Sequence, residues 1–451
     1  MKAQASSESV FEDMPIRQAV RTMAVPTVIG QLIVLIYNLA DTYFIGKTNS
    51  PAMVAGVSLI LPLFNLTLAL GSLFGTGGGA LLPRLLAADD RNEAACVAAY
   101  CMRMSILTAL VFSLLMLILL RPVLQLLGAG ESTFPYARIY LITVLIIGGL
   151  PTILSNTLSN LLRSLGLSRE AGTAVAMGGV LNIILDPLFM FVLLPRGNEV
   201  LGVGIATLLS NLISLCFCLF VFFRKQQTIP ADFFLPAPKR EHIRAVYTIG
   251  IPGTTGAVLF DLDYMVLDKL VSAYGDAALA AIGIVLKAER LPQQIGIGLC
   301  QGMVPLVSYS HAKQNYSRIR GILSTTLKAG AVVALVSVTV YEIFTPRVIT
   351  FFIREPETFA IGNRFLRVRC LAAVIMFFCF FVVFFYQATG DGKRAMSLAL
   401  LRWAVLNIPM LYLFNFLFGM YGLVWSQVVS DLLTVLISFL ILRRTMQRWK
   451  E

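Results

Sequence analysis

Residues 25–46 read VPTVIGQLIVLIYNLADTYFIG. At about 1.5 Å of rise per residue, a helix of this length covers roughly 33 Å, enough to cross a hydrocarbon core of about 30 Å. A single charge, Asp41, falls within it, five residues from the end. The rest of the chain repeats the pattern. Apolar stretches run 16–46, 53–82, 94–120, 136–162, 171–195 and 202–223, then 243–272, 278–307, 321–345, 364–388, 396–418 and 420–442. Of the 451 residues, 57% are hydrophobic and 13% charged, against about 25% charged in an ordinary soluble domain. Such a chain, with a mean hydropathy of +0.81, needs a bilayer to cover its apolar surface. It is expected to be an all-α integral membrane protein of twelve transmembrane helices, with no length left for a separate soluble domain.

Several function classes drop out. The seven cysteines mostly fall in apolar stretches without a CxxC pair, and read as small buried hydrophobes. The only histidines, His242 and His311, lie in or beside loops, so a histidine metal site is not expected. No Walker A, GxSxG or HExxH sequence is present, which leaves ATP-driven transport and hydrolysis without support. The run GTGGG at 75–79 precedes no lysine and reads as a surface for close helix packing. The net charge of +12 sits at helix ends and in alternate loops, a topology signal and not a nucleic-acid stripe. Residues 1–14 lack the basic and apolar regions of a cleaved signal, so the first span is expected to serve as an uncleaved one.

Lys and Arg concentrate in one set of loops: Arg84 and Arg91, Arg163 and Arg169, Lys313, Arg318 and Arg320, Lys393 and Arg394, the segment with Arg224, Lys225, Lys239 and Arg240, and the tail with Arg443, Arg444, Arg448 and Lys450. The positive-inside rule places that set, and both termini, in the cytoplasm. The only long polar gap, 224–242, divides the chain into an amino-terminal lobe, 1–223, and a carboxy-terminal lobe, 243–451. The lobes resemble each other. Pro26 and Pro252 lie 226 residues apart, Gly56 and Gly283 lie 227 apart, and VLNI at 180–183 returns at 405–408. Both halves begin and end on the same side, so they form a parallel repeat about a pseudo-twofold axis along the membrane normal, with a cavity expected between them.

Charge inside a span costs roughly 2.5–3.5 kcal/mol on insertion scales and marks function by default. Asp41 lies in span one and Asp186 in span five, within VLNIILDPLF. Asp186 is 15 residues above Ala171, about 22 Å, and so lies in the outer half with Asp41. Asn182 shares a helix face with Asp186, and Thr207 in span six falls at similar depth. Two carboxylates, an amide and a hydroxyl suit H⁺ or Na⁺. The plainer reading of Asp41 is a solvated or capping side chain. Pro187 directly after Asp186, and Pro26, are expected bend points. Tyr37, Asn38 and Gln387 are further polar candidates for binding substrate.

The second half carries Asp261, Asp263, Asp268 and Lys269 in span seven, and Lys287, Glu289 and Arg290 in span eight. These are expected to pair among themselves or, for Asp263 and Glu289, to attract a cationic substrate. Leu411 stands where the repeat would place the second copy of Asp186, while Asn407 preserves the asparagine, so the ion site is better placed in the first lobe. The phenylalanine run at 377–386 reads as packing or lipid-facing, with an aromatic wall for planar compounds as the alternative.

Span one, VAGVSLILP, GTGGGALLPRLL, VLNIILDPLF and GVGIAT together resemble the multidrug and toxic compound extrusion (MATE) transporters, in the branch that includes the MepA-like and DinF-like proteins; the resemblance covers essentially the whole chain. It implies two six-helix lobes, a V-shaped outward-open state, and export of cationic or amphipathic compounds in exchange for H⁺ or Na⁺. It also implies an amino-lobe cation site, matching Asp41, Asn182, Asp186 and Thr207 here. Span ten lacks the acidic residue that some members carry in LAAVIMFFCFFVVFFYQATG. The combined expectation is a monomeric, cofactor-free antiporter in a bacterial or archaeal inner membrane. The alternatives are a flippase for lipid-linked oligosaccharides, a narrow-specificity metabolite exporter, an ion channel and a membrane enzyme.

Overall fold

Bilayer-length helices account for nearly all of the computed structural model, which describes residues 9–224, 229 and 232–449. The helices are α1 (Ile16–Gly46), α2 (Pro51–Ala87), α3 (Arg91–Ile118), α4 (Phe134–Ile147 and Gly149–Ser164), α5 (Ser168–Leu193), α6 (Glu199–Arg224), α7 (Arg240–Ser272), α8 (Asp276–Ala312), α9 (Tyr316–Phe352), α10 (Pro356–Ala388), α11 (392–418) and α12 (420–448). Among the described residues, nine helical segments are long and apolar enough to cross a membrane, ten with the bent α4. The other two come from α8, whose Lys287, Glu289 and Arg290 dilute its hydropathy, and from a sharp turn at Gly419 that divides the last helical segment. Gly419 has φ 61°, a left-handed value that glycine takes without steric cost. Lys225, in the expected linker, and Lys450, in the tail, lie outside the described residues.

The first six helices pack as one lobe and the last six as another, with matching partners. Within the first, α1 packs on α5, α2 on α4 and α4 on α6; in the second, α7 packs on α11, α8 on α10 and α10 on α12. Between lobes, α1 meets α8 and α2 meets α7, which is the pairing a pseudo-twofold axis requires. Outward faces carry exposed Leu114, Ile118, Val332, Leu335, Phe416 and Leu440, apolar surface suited to lipid tails. One repeat match is not equivalent in space: Gly56 is pressed against Tyr136 and Ala137, whereas Gly283 faces open space.

Residues 9–15, the end of α12 and the 232–239 segment lie at one end of the bundle, here the terminal face, and there the lobes are pinned together. Phe11 stacks on Tyr309 at 5.0 Å, and Arg318 donates to the Val10 and Met14 carbonyls. Glu93 of α3 takes His242 Nδ1 at 2.7 Å and the Lys239 amide at 2.7 Å. Arg84 donates to Ser308 Oγ and to the Ala388 carbonyl. Farther from that face come Tyr100–Tyr247 at 3.3 Å, Gln31–Gln301 at 2.9 Å, and finally Asn65–Asp261 at 3.1 Å. Glycines let the backbones touch along this seam. A Cβ on Gly302 would sit 2.6 Å from Ala24 Cα, and one on Gly77 would collide with the Val246 carbonyl. The GTGGG run is therefore a packing surface, as its sequence implies.

Enlarging Gly302 must either distort α8 or part the lobes. Gly302→Leu is expected to cost about 1–3 kcal/mol of stability and to lower the thermal unfolding midpoint in detergent. Gly46→Ala, whose Cβ meets nothing within 4 Å, is the matched control. Equal midpoints for the two variants would refute the close-packed seam.

Candidate functional site

Asp41 sits one helical turn beyond Tyr37 on α1, and Asp186 one turn beyond Asn182 on α5. Packing of α1 against α5 is close, since Gly179 lies against Ile33 and Tyr37, and Gly172 against the Pro26 carbonyl. It brings the two carboxyl groups within hydrogen-bonding reach of each other. The Asn182 amide donates weakly to Asp186 Oδ1 at 3.4 Å and to Thr207 Oγ1 of α6 at 3.5 Å. The four residues expected as a cation site do converge. Asn182, Asp186 and Thr207 are buried at 2%, 0% and 5% exposure.

A fifth member was not anticipated. Tyr140 of α4, 4% exposed, lies beside Thr207 and both aspartates. It precedes a π-helical stretch, Leu141–Ile147. A second π-helical stretch, Phe189–Leu193, follows Pro187, and such wide turns often accompany functional sites. A tyrosine in an otherwise apolar span was the available signal, but nothing in the sequence locates a π-turn. Asp41 Oδ1, Asn182 Oδ1 and Asp186 Oδ2 have no hydrogen-bond partner. Two adjacent carboxylates with orphaned oxygens need a proton or cation between them, and hard oxygen donors suit either H⁺ or Na⁺. Among the described residues no group of three or more His, Cys, Asp or Glu side chains forms a metal cluster.

Below this cluster a cavity of about 250 Å³ extends toward the terminal face, walled by α1, α2, α4, α5 and α6, with Gln301 of α8 closing one side. That is close to the lower bound of small-molecule pockets. Sixteen of its 24 lining residues carry a hydroxyl or amide, and only Tyr37 and Phe64 are aromatic. Asn38 does not border it. The phenylalanine run packs instead inside α10, where the Phe377 ring fills the space over Gly330, so it forms no wall of this cavity.

The second lobe arranges its charges differently from expectation. Glu289 pairs with Arg369 of α10 at 2.8 Å, not with its neighbours on α7 or α8. Asp431 of α12 holds Arg402 of α11 through two bonds, at 2.7 and 3.1 Å. Asp263 is held by the Asn407 amide at 2.7 Å to each oxygen, and Asn407 also contacts Gln427 and Ser430. Asp261 binds Asn65 across the seam. Arg369, Arg402 and Asp431 lay inside apolar runs and went unremarked, though an arginine in a span is itself a signal. Gln387 lies apart from this network and does not border the main cavity; it lines a smaller one between the lobes.

The MatE family profile matches residues 26–188 and 256–413. The chain belongs to the MatE family. It is 28% identical over 431 residues to the multidrug export protein MepA of Staphylococcus aureus, covering 96% of this chain and 94% of that protein. Its fold matches that of a multidrug resistance MATE family transporter of the MOP superfamily in an outward-facing conformation, with a TM-score of 0.93 at 22% identity over all of both chains. It also matches a MOP superfamily transporter from Pyrococcus furiosus, with a TM-score of 0.92 at 21% identity over all of both chains. The MatE fold thus places α1, α5 and α6 around the carboxylate pair.

Removing one partner of the Glu289–Arg369 pair leaves a bare buried charge. Arg369→Met is expected to destabilise by about 3–5 kcal/mol, with the Glu289→Leu/Arg369→Met double variant recovering most of it. Thermal midpoints in detergent decide this. A double variant no more stable than Arg369→Met alone would exclude the pairing.

Proposed function

We propose that this chain is a secondary antiporter that exports small molecules, multidrug-type compounds among them, in exchange for H⁺ or Na⁺ by alternating access. The observation that carries the reading is the Asp41–Asp186 pair with its orphaned oxygens, directly above a polar cavity. Similarity to MepA over nearly the whole chain supports the multidrug part. The basic loops lie on the terminal face, which makes it cytoplasmic by the positive-inside rule. The pinned seam then closes the cytoplasmic side, as in an outward-facing state. Only one cation, Arg163, borders the cavity among the described residues, which is little for a pyrophosphate-binding flippase.

In the mechanism, the coupling ion supplies positive charge between Asp41 and Asp186. Uncompensated, these carboxylates repel and hold α1 and α5 apart at this level; neutralised, they let the two helices close and narrow the upper cavity. Asn182 and Tyr140 orient Thr207 toward the same point. Pro26 leaves the Thr22 carbonyl without an intrahelical donor, and Pro187 does the same to Ile183. These are the places where α1 and α5 bend at least cost. As α1 bends against α8, the change in the carboxylate pair reaches the interlobe seam.

The test is efflux of ethidium from proteoliposomes under a pH gradient and, separately, under a Na⁺ gradient. Wild type should respond to at least one gradient, which names the ion. Asp41→Asn and Asp186→Asn should fall to the leak of empty vesicles. Gradient-driven export that survives in both variants would defeat the coupling role.

A further inference from the structure

Arg163 ends α4 at the cavity floor and is 7% exposed. Its Nη1 donates to Asn160 Oδ1 at 2.9 Å, and its Nε has no partner. No carboxylate lies within 4.0 Å of it among the described residues. A plain helix-end role would have the guanidinium on the carbonyls of its own turn, yet its hydrogen bond goes to the Asn160 side chain instead. The residue borders the main cavity and also a smaller one of about 30 Å³ between the lobes. Across that smaller cavity stands Gln387 of α10, 3% exposed, whose Oε1 is also without a partner.

The two positions are one position repeated. Each lies three residues before a glycine in the left-handed conformation, Gly166 at φ 82° and Gly390 at φ 74°, and both pairs are 224 residues apart. The pseudo-twofold axis therefore sets a guanidinium and an amide face to face under the cavity, both buried and both incompletely bonded. An unpaired buried guanidinium is costly, and its planar fork matches the two oxygens of a carboxylate. The Gln387 amide can turn its nitrogen to the same group.

We propose that Arg163 and Gln387 form a carboxylate subsite at the cytoplasmic floor, so that the cargo includes zwitterionic amphiphiles as well as cations. The inference rests on the export reading above and adds a substrate class to it. The polar lining of the cavity accords with such cargo.

The test is fluorescence anisotropy of purified protein with two dyes that differ at one group: rhodamine 110, a free carboxylate, and rhodamine 123, its methyl ester. Wild type should bind the acid about tenfold or more tightly than the ester, the size of one charge-assisted hydrogen bond. Arg163→Gln should bring the ratio to about one by weakening the acid alone. Gln387→Glu places a carboxylate opposite Arg163, and should abolish the preference while retaining the ester; it serves as the second variant if Arg163→Gln does not fold. Equal affinity for the two dyes in wild type, or a preference that survives in either variant, would overturn the subsite while leaving export of cations standing. Failure of wild type to bind either dye would overturn the subsite and count against the export reading as well.

Discussion

Charge has no water to turn to inside a bilayer, and each lobe meets that constraint in its own way. In the second lobe Arg369 neutralises Glu289 and Arg402 neutralises Asp431, with Asn407, Gln427 and Ser430 filling much of the remaining hydrogen-bonding capacity. Three carboxylates face two guanidinium groups there, and the third, Asp263, rests on the Asn407 amide. The first lobe offers its aspartates no guanidinium partner. Asp41 and Asp186 are set against each other with oxygens left open. A duplicated fold thus holds one lobe whose buried carboxylates mostly meet guanidinium groups, although Glu289 Oε1 has no hydrogen-bond partner, and one whose carboxylate pair meets none.

That asymmetry matters because the lobes are joined mechanically. The seams α1–α8 and α2–α7 are backbone contacts at glycine, too close to absorb a change locally. A helix that bends on one side must slide or lift on the other. α1 carries Asp41, Pro26 and the contact with Gly302, so one helix links the carboxylate pair, the proline and the seam. The seam in turn is tied at the terminal face by contacts from residues 10–14, 239 and 242. These ties must break before that side opens.

The class, the helix count, the repeat and the four converging residues were legible because each leaves a mark in one dimension. Hydropathy marks spans, a shared offset marks duplication, and helix rise converts position into depth. Tyr140 was missed because its role depends on a π-turn and on which face of α4 meets α6, and neither is periodic in sequence. The partners of Glu289 and Asp431 were missed for a related reason. Ion pairing between α8 and α10, or α11 and α12, is a matter of helix order around the lobe, and the nearer charges on α7 and α8 offered a local pairing that the fold does not use. Within the aromatic run, Phe377 packs on Gly330 of α9, whereas Phe384 borders the smaller cavity between the lobes.

The cavity itself departs from what apolar composition implies. A chain this hydrophobic spends its phenylalanines on helix packing and lipid, and the surface it turns inward is hydroxyl and amide. Side chains that hydrogen-bond without charge bind many polar shapes weakly and none obligatorily, so selectivity must come from the few charged points. Arg163 is the one charged side chain on the lining, at the floor, and the carboxylate pair sits beyond the other end, next to the lining residues Tyr37, Asn182 and Thr207. In the antiport cycle proposed above, a solute that enters from the terminal face meets the cation first and the anions last. On that reading, neutralising the anions removes the attraction that draws a basic group upward, which couples release of cargo to arrival of the ion without any direct contact between them.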